Sequence, residues 1–220
     1  MDKSASGRKE KVKDIILALH RGLSVQKAKA RFETEVGDIS ATEIAQIEQE
    51  LLTEGMSVDE VKKLCNVHAL LFERSLKEKM TTEEAKSHPV YLFKLENREI
   101  EKITASLKNA AQGQDKAAVG GLLEKLKPIE VHYTKKEQLL FPFLEREGFM
   151  GPSKVMWGKH NDIRALLKDA LLTIEMAKDF AQYKEKKLDP LIEEVDGMIF
   201  KEEQILFPAA IEKLKPDDWL

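Results

Sequence analysis

Apolar residues recur every three to four positions along most of this chain, the spacing expected of amphipathic α-helices. In the N-terminal third the apolar stretches are short. Three of them stop at Gly22, Gly37 and Gly55, and a fourth opens with the capping box Ser57-Val58-Asp59-Glu60 and runs on to about Leu76. The pattern predicts a small helical domain over residues 1–79.

Four longer amphipathic stretches follow the polar segment around residue 80. They are predicted to run from His88 to about Ala111, Lys116 to Glu147, Ser153 to Gln182, and Asp189 to about Lys213. Pro128 and Pro142 should kink the second of them. Because the links are short, residues 80–220 are predicted to form an antiparallel four-helix bundle, and the fold class is all-α.

One motif occurs twice in the bundle region, as HYTKKEQLLFP at 132–142 and as MIFKEEQILFP at 198–208. In each copy an apolar stripe at helical spacing passes through acidic positions: Glu137 in the first copy, Glu202 and Glu203 in the second. A carboxylate on a core-facing stripe is costly unless a proton, a cation or a metal ion compensates its charge. The repeated motif therefore predicts a metal site.

Each predicted bundle helix offers nitrogen or oxygen ligands on or near its inner face. The candidates are His88 and Glu96, then His132 and Glu137, then His160, and finally Glu202 and Glu203. Counting outward from the loops puts His88, Glu137 and His160 in one layer, whereas Glu203 falls out of register with His160. A mixed imidazole and carboxylate set suits iron, manganese or zinc.

The segments HPVYLFKLEN, HYTKKEQLLFP, VMWGKHNDIR and KEEQILFP, in this order, resemble the hemerythrin-like HHE cation-binding family. The preceding stretch EIAQIEQELLTEGMSVDEVKKLCNVHALLF is similar to an uncharacterised helical domain that accompanies the bundle in bacterial and archaeal members. The resemblance implies a four-helix bundle holding two non-haem irons, bridged by carboxylates, that meet dioxygen, nitric oxide or peroxide. Such proteins often continue into a PAS domain, so a short member or a trimmed piece of a longer chain is expected.

The resemblance also implies one metal ligand from each helix, at His88, His132, His160 and Glu203. Three positions depart from the family pattern. In the family, the second bundle helix has a carboxylate at the position of Lys136. Some members have a second histidine in the third helix at the position of Arg164, and the fourth helix has a histidine at the position of Met198. We therefore expect one metal ion, or two only if Glu137 and Glu96 are recruited.

Other interpretations stay open at this stage. Lys136 could pair with Glu202 in a metal-free bundle that acts as a protein-interaction or regulatory module, with the N-terminal domain as its contact surface. A haem held by a histidine and Met198 is a minor alternative. Cys65 and His68 share one helix face, as a metal-binding or redox pair or, more simply, as a buried thiol beside a polar neighbour.

Composition and charge further limit the classes of function that the chain can have. A net charge of −3 with mixed signs gives no footprint for nucleic acid, and no apolar run approaches the roughly 20 residues that span a bilayer. The N-terminus lacks an apolar signal core and there is a single cysteine, so a cytoplasmic protein without internal disulfides is expected. No nucleophile–base arrangement and no phosphate-binding glycine loop is visible, which favours binding or sensing over catalysis. The oligomeric state stays open.

Overall fold

The computed structural model describes residues 3–37, 39, 41–58, 60–61 and 88–219, and the regular secondary structure within them is helical. The N-terminal part contains α1 (Lys3–His20), α2 (Val25–Glu35) and α3 (Ala41–Thr53). The predicted glycine stops are confirmed, with φ of 98° at Gly22 and 104° at Gly55, in the left-handed region that glycine tolerates best.

The predicted capping box after α3 is also present. The backbone N–H of Ser57 donates to Glu60 Oε2 at 2.8 Å, and the N–H of Glu60 donates to Ser57 Oγ at 3.2 Å. The rest of the fourth predicted helix, with Cys65 and His68, lies outside the described residues, as does the predicted boundary at residue 79.

The C-terminal part is the predicted four-helix bundle. Its first helix is α4 (Pro89–Gln112), its second is divided into α5 (Lys116–Leu126), α6 (Ile129–Leu139) and α7 (Phe141–Arg146), and its third is α8 (Gly151–Thr173). The fourth contains α9 (Phe180–Tyr183), a π turn (Lys184–Leu188), α10 (Asp189–Lys201), a second π turn (Glu202–Leu206) and α11 (Phe207–Lys213). A short 3₁₀ helix, Pro216–Trp219, follows.

Proline and aspartate decide where these helices divide. Helix α5 ends at Leu126 and α6 begins after Pro128, while Pro142 lies in the first turn of α7, which confirms both predicted kinks. The predicted end of the third helix at Gln182 is wrong, because α8 already ends at Thr173. Asp179 starts the next helix by accepting a hydrogen bond from the N–H of Gln182 at 3.1 Å, ten residues before the predicted start at Asp189.

The apolar stripe shared by the two motif copies lies in the core. Its members Ile129, Tyr133, Leu140 and Leu144 are at most 3% exposed. They belong to one hydrophobic cluster that also includes Ile47 and other buried side chains of the N-terminal helices. No helix in the described part of the chain is long and apolar enough to cross a membrane.

Candidate metal centre

His132 lies at the centre of a polar layer inside the bundle, which it forms with Glu96, Lys136 and Glu202. Its side chain is 4% exposed, and helix α6 turns it towards both α4 and the second π turn. Nδ1 lies 2.7 Å from Oε2 of Glu96, and Nε2 lies 3.1 Å from Oε2 of Glu202. One imidazole therefore lies between carboxylates from two other helices.

The His132 ring lies between two carboxylates but is itself uncharged. Burial, together with repulsion from Lys136, lowers the pKa of His132 to about 3, and the hydrogen bond with Glu96 only partly opposes the shift. At neutral pH the ring is therefore uncharged and carries a single N–H. With Nδ1–H donating to Glu96, Nε2 presents a lone pair to Glu202, so two acceptor atoms face each other at 3.1 Å.

Lys136, one turn after His132, supplies a partner to Glu202. Its Nζ is bonded to Oε1 of Glu202, and both side chains are completely buried. Burial lowers the pKa of Lys136 well below its ordinary value, and the carboxylates of Glu96 and Glu137 only partly oppose this. Whether the shared proton sits on nitrogen or oxygen, the Lys136–Glu202 pair has no net charge. The alternative prediction that Lys136 pairs with Glu202 is thus confirmed.

A second cluster forms around His160 of α8, which is fully buried. Its Nδ1 lies 2.7 Å from Oε1 of Glu137, and the guanidinium of Arg164 donates to both oxygens of that carboxylate at 2.9 and 3.0 Å. Burial lowers the pKa of His160 to about 3, with the Glu137 hydrogen bond opposing, so this ring is also neutral. Its Nε2 is buried and has no hydrogen-bond partner.

Electrostatics keep Glu137 ionised. Burial acts to raise its pKa, but the hydrogen bonds from His160 and Arg164 outweigh burial and lower the pKa to about 2. Since the ionised carboxylate accepts the proton of His160 Nδ1, the lone pair of the ring is on Nε2. The carboxylate of Glu137 therefore orients a neutral, buried imidazole whose Nε2 lone pair has no hydrogen-bond partner.

The remaining predicted ligands, His88 and Glu203, are elsewhere. His88 is the N-cap of α4, where Nδ1 accepts from the N–H of Val90 at 3.2 Å, and its half-buried ring lies 4.5 Å from that of Trp219. Glu203 accepts from Asn97 Nδ2 at 3.1 Å and from Arg98. The roles of His88 and Glu203 as ligands stay predictions. In His88, Nε2 is the ring nitrogen that remains for such a role, because Nδ1 forms the cap.

Three residues around the site were not foreseen as part of it. The ring of Tyr133 stacks on His160 at 4.0 Å, and its centroid is also 5.8 Å from that of His132. Lys135 bonds Glu96 at 2.5 Å, and the buried Asn97 bonds Glu203. In the sequence, Tyr133 is recognisable only as a residue of the apolar stripe. The adjacent polar residues Glu96 and Asn97 on α4 are the sequence signal for the polar layer.

Potential ligand atoms and positively charged side chains lie close together in this part of the bundle. Nε2 of His132, the carboxylate of Glu202 and Nε2 of His160 are the donor atoms that face inward, while Lys136 and Arg164 bring positive charge where further ligands were expected. Among the described residues no three His, Cys, Asp or Glu side chains converge as a metal-binding group.

A helical bundle with paired imidazoles and carboxylates in its interior is the architecture of a cation-binding helical protein. Residues 88–210 match the hemerythrin HHE cation binding domain, and this chain belongs to that family. Residues 12–78 match a family of unknown function (DUF438). Neither the curated proteins nor the solved structures contain a significant match.

Proposed function

We propose that the protein binds one transition-metal ion, with iron as the first choice, and uses it to sense dioxygen, nitric oxide or a related oxidant. The ligands in this proposal are Nε2 of His132, the carboxylate of Glu202 and Nε2 of His160. Residues 80–220 act as the binding domain of a cytoplasmic protein, and residues 1–79 as the domain through which a protein partner is contacted.

The observation that carries the proposal is the position of His132 between two carboxylates. Metal-binding histidines usually donate their second ring N–H to a carboxylate, which fixes the tautomer and directs the other nitrogen at the metal. Glu96, at 2.7 Å from Nδ1, fits this orienting role, and Glu202, at 3.1 Å from Nε2, fits the role of a neighbouring ligand. A cation between Nε2 and Glu202 would relieve the contact between two acceptors.

His160 repeats the same arrangement with Glu137 in the orienting role. Its unpaired Nε2 is a buried acceptor, and such groups are rare unless a ligand, an ion or a water satisfies them. In this proposal Glu96 and Glu137 therefore orient the imidazoles rather than bind the ion.

Iron bound to this set would supply an open coordination position for a small ligand. The protein's own contribution is to hold two neutral imidazoles in a buried position and to release Glu202 from Lys136. Because that pair shares a proton, metal uptake should release protons.

The test begins with metal analysis of the protein purified from cells, followed by calorimetric titration of the chelator-treated protein with Fe²⁺ under anaerobic conditions. Glu202→Gln should abolish binding, whereas the neighbouring Glu203→Gln should leave it within a few fold, because Glu203 contacts Asn97 and Arg98 instead. Nitric oxide should change the electron paramagnetic resonance spectrum of the Fe²⁺-loaded protein. Equal loss of binding in the two variants would reject the assignment of Glu202.

A metal-free regulatory module is the second candidate. The fully buried Lys136–Glu202 pair favours it, since a lysine in contact with the carboxylate already compensates the charge that a metal would neutralise. Absence of tight Fe²⁺, Zn²⁺ and Mn²⁺ binding by the unmodified protein would favour this function over the first.

A further inference from the structure

The N-terminal helices pack against the end of the bundle that carries Glu202. Helix α3 contacts the second π turn, α11 and α8. Its buried Ile47 and Leu51 belong to the same apolar cluster as Leu206 and Phe207, which lie three and four residues after Glu203 in the chain. The segment from Glu202 to Lys213 therefore joins the polar layer to the N-terminal helices.

A polar clamp fixes α3 to the start of α8. The side-chain amide of Gln49 donates to the carbonyl of Gly148 at 2.8 Å and accepts from the N–H groups of Met150 and Gly151 at 2.9 and 3.2 Å. The approach is so close that a Cβ on Gly151 would lie 2.9 Å from Cβ of Gln49. Any other residue at 151 would push α3 away from the helix that carries His160.

The second π turn changes the helical phase between α10 and α11. The carbonyl of Glu202 accepts from the N–H of Phe207, five residues later, in place of the α-helical partner four residues later. Loss of this turn would rotate α11 by about 100° and shift it by about 1.5 Å relative to the preceding helix. Because α3 packs on both the π turn and α11, such a change would alter the surface under α3.

We propose that the N-terminal helices report the state of the bundle site, because the contacts of Glu202 control the register of the π turn on which α3 docks. The inference rests on the proposed function in taking Glu202 as the residue whose contacts change when a ligand binds. It gives the N-terminal domain a defined role, that of the element whose docking changes with the site.

The first test is hydrogen exchange of the full chain with and without Zn²⁺, with binding measured separately by calorimetry. Filling the site should change backbone exchange several-fold in residues 41–53 and 202–213, with smaller changes in residues 116–126. Binding of Zn²⁺ with unchanged exchange in residues 41–53 would overturn the inference.

A second hydrogen-exchange experiment compares two variants without added metal. Lys136→Met removes the partner of Glu202, and Lys159→Met is its control because it breaks the ion pair of another buried lysine, with Glu194 of α10 at 2.8 Å. Exchange in residues 41–53 should rise several-fold more in the first variant. Equal effects would overturn the coupling. If Zn²⁺ fails to bind while Lys136→Met still changes α3, the proposed metal function fails and the inference stands.

The reciprocal effect completes the test. Gly151→Ala should loosen the clamp and change the Zn²⁺ affinity by about fivefold or more, since coupling between two sites acts equally in both directions. Gly121→Ala, in α5 with open space around the added methyl, is the matched control. Identical Zn²⁺ affinities in the two variants would contradict the inference.

Discussion

Lys136 and Glu202 occupy the same position in the two copies of the sequence motif, and their side chains meet each other inside the bundle. The residues that follow them are also equivalent: Glu137 accepts from His160 and Arg164, and Glu203 accepts from Asn97 and Arg98. The two copies thus differ in charge where they touch, and each compensates the other. A carboxylate at both positions would require a bound cation, and the lysine removes part of that requirement.

The first prediction concerns the stability of this pair. Lys136→Met should leave Glu202 as an uncompensated buried charge and lower the free energy of unfolding of the metal-free protein by about 3–5 kcal/mol. The measurement is urea unfolding followed by circular dichroism with a chelator present.

Lys135→Met is the control for that variant. Lys135 is partly exposed in its ion pair with Glu96, so its loss should cost less than about 1 kcal/mol. Similar losses in the two variants would mean that Glu202 is not held by Lys136.

The second prediction is acid lability of the metal-free protein. Folded His132 and His160 have pKa values of about 3, against an ordinary value of 6.5, so unfolding takes up a proton at each ring between these limits. The free energy of unfolding should therefore be largest above pH 6.5 and fall below it, by about 1.4 kcal/mol per pH unit for each imidazole. Glu137, whose pKa is lowered from 4.5 to about 2, should add to the loss below pH 4.5.

Urea unfolding at a series of pH values between neutrality and 4.5 measures this slope. His160→Gln removes one of the two imidazoles, so it should reduce the slope by about half even if it lowers stability overall. A slope that is the same in both proteins would show that His160 is protonated in the folded state.

Much of the bundle could be predicted from the sequence because its breaks have local causes. Pro128 and Pro142 lack the N–H that a continuous helix needs, and both divide the second helix as expected. The early end of α8 was missed because the N-cap role of Asp179 depends on where the preceding helix stops. His88 before Pro89 predicted a helix start, and its Nδ1 forms that cap.

The site could be predicted only as a set of residue types. Periodicity placed both Glu202 and Glu203 near the core and could not choose between them, because a π turn changes the helical phase without any sequence signal. The stacking of His160 on Tyr133 and its hydrogen bond to Glu137 depend on how α6 and α8 pack, which the spacing of residues along one helix does not specify.

The third prediction separates orienting residues from ligands. Glu137→Gln keeps a carbonyl oxygen that can accept from His160 Nδ1, so the affinity for Zn²⁺ should fall by about 10–100-fold rather than vanish. Calorimetric titration of this variant beside Glu202→Gln gives the comparison. Complete loss of binding in both would identify Glu137 as a ligand.

The last prediction concerns how many metal ions bind. The unmodified chain should take up one iron per chain, because Lys136 and Met198 occupy positions from which a second ion would need a carboxylate and an imidazole. Met198 is fully buried and corresponds to His132 in the other motif copy, so an imidazole there would point into the same interior.

The double variant Lys136→Glu and Met198→His should raise the uptake towards two irons per chain. It should also be less stable than the parent when metal-free, because Glu202 would then face a second buried carboxylate. Elemental analysis gives iron per chain, with Met198→His alone as the control that leaves Lys136 in place and should remain near one. Two irons in the unmodified protein would show that Lys136 does not limit the site, and no increase in the double variant would show that these two positions do not supply the missing ligands.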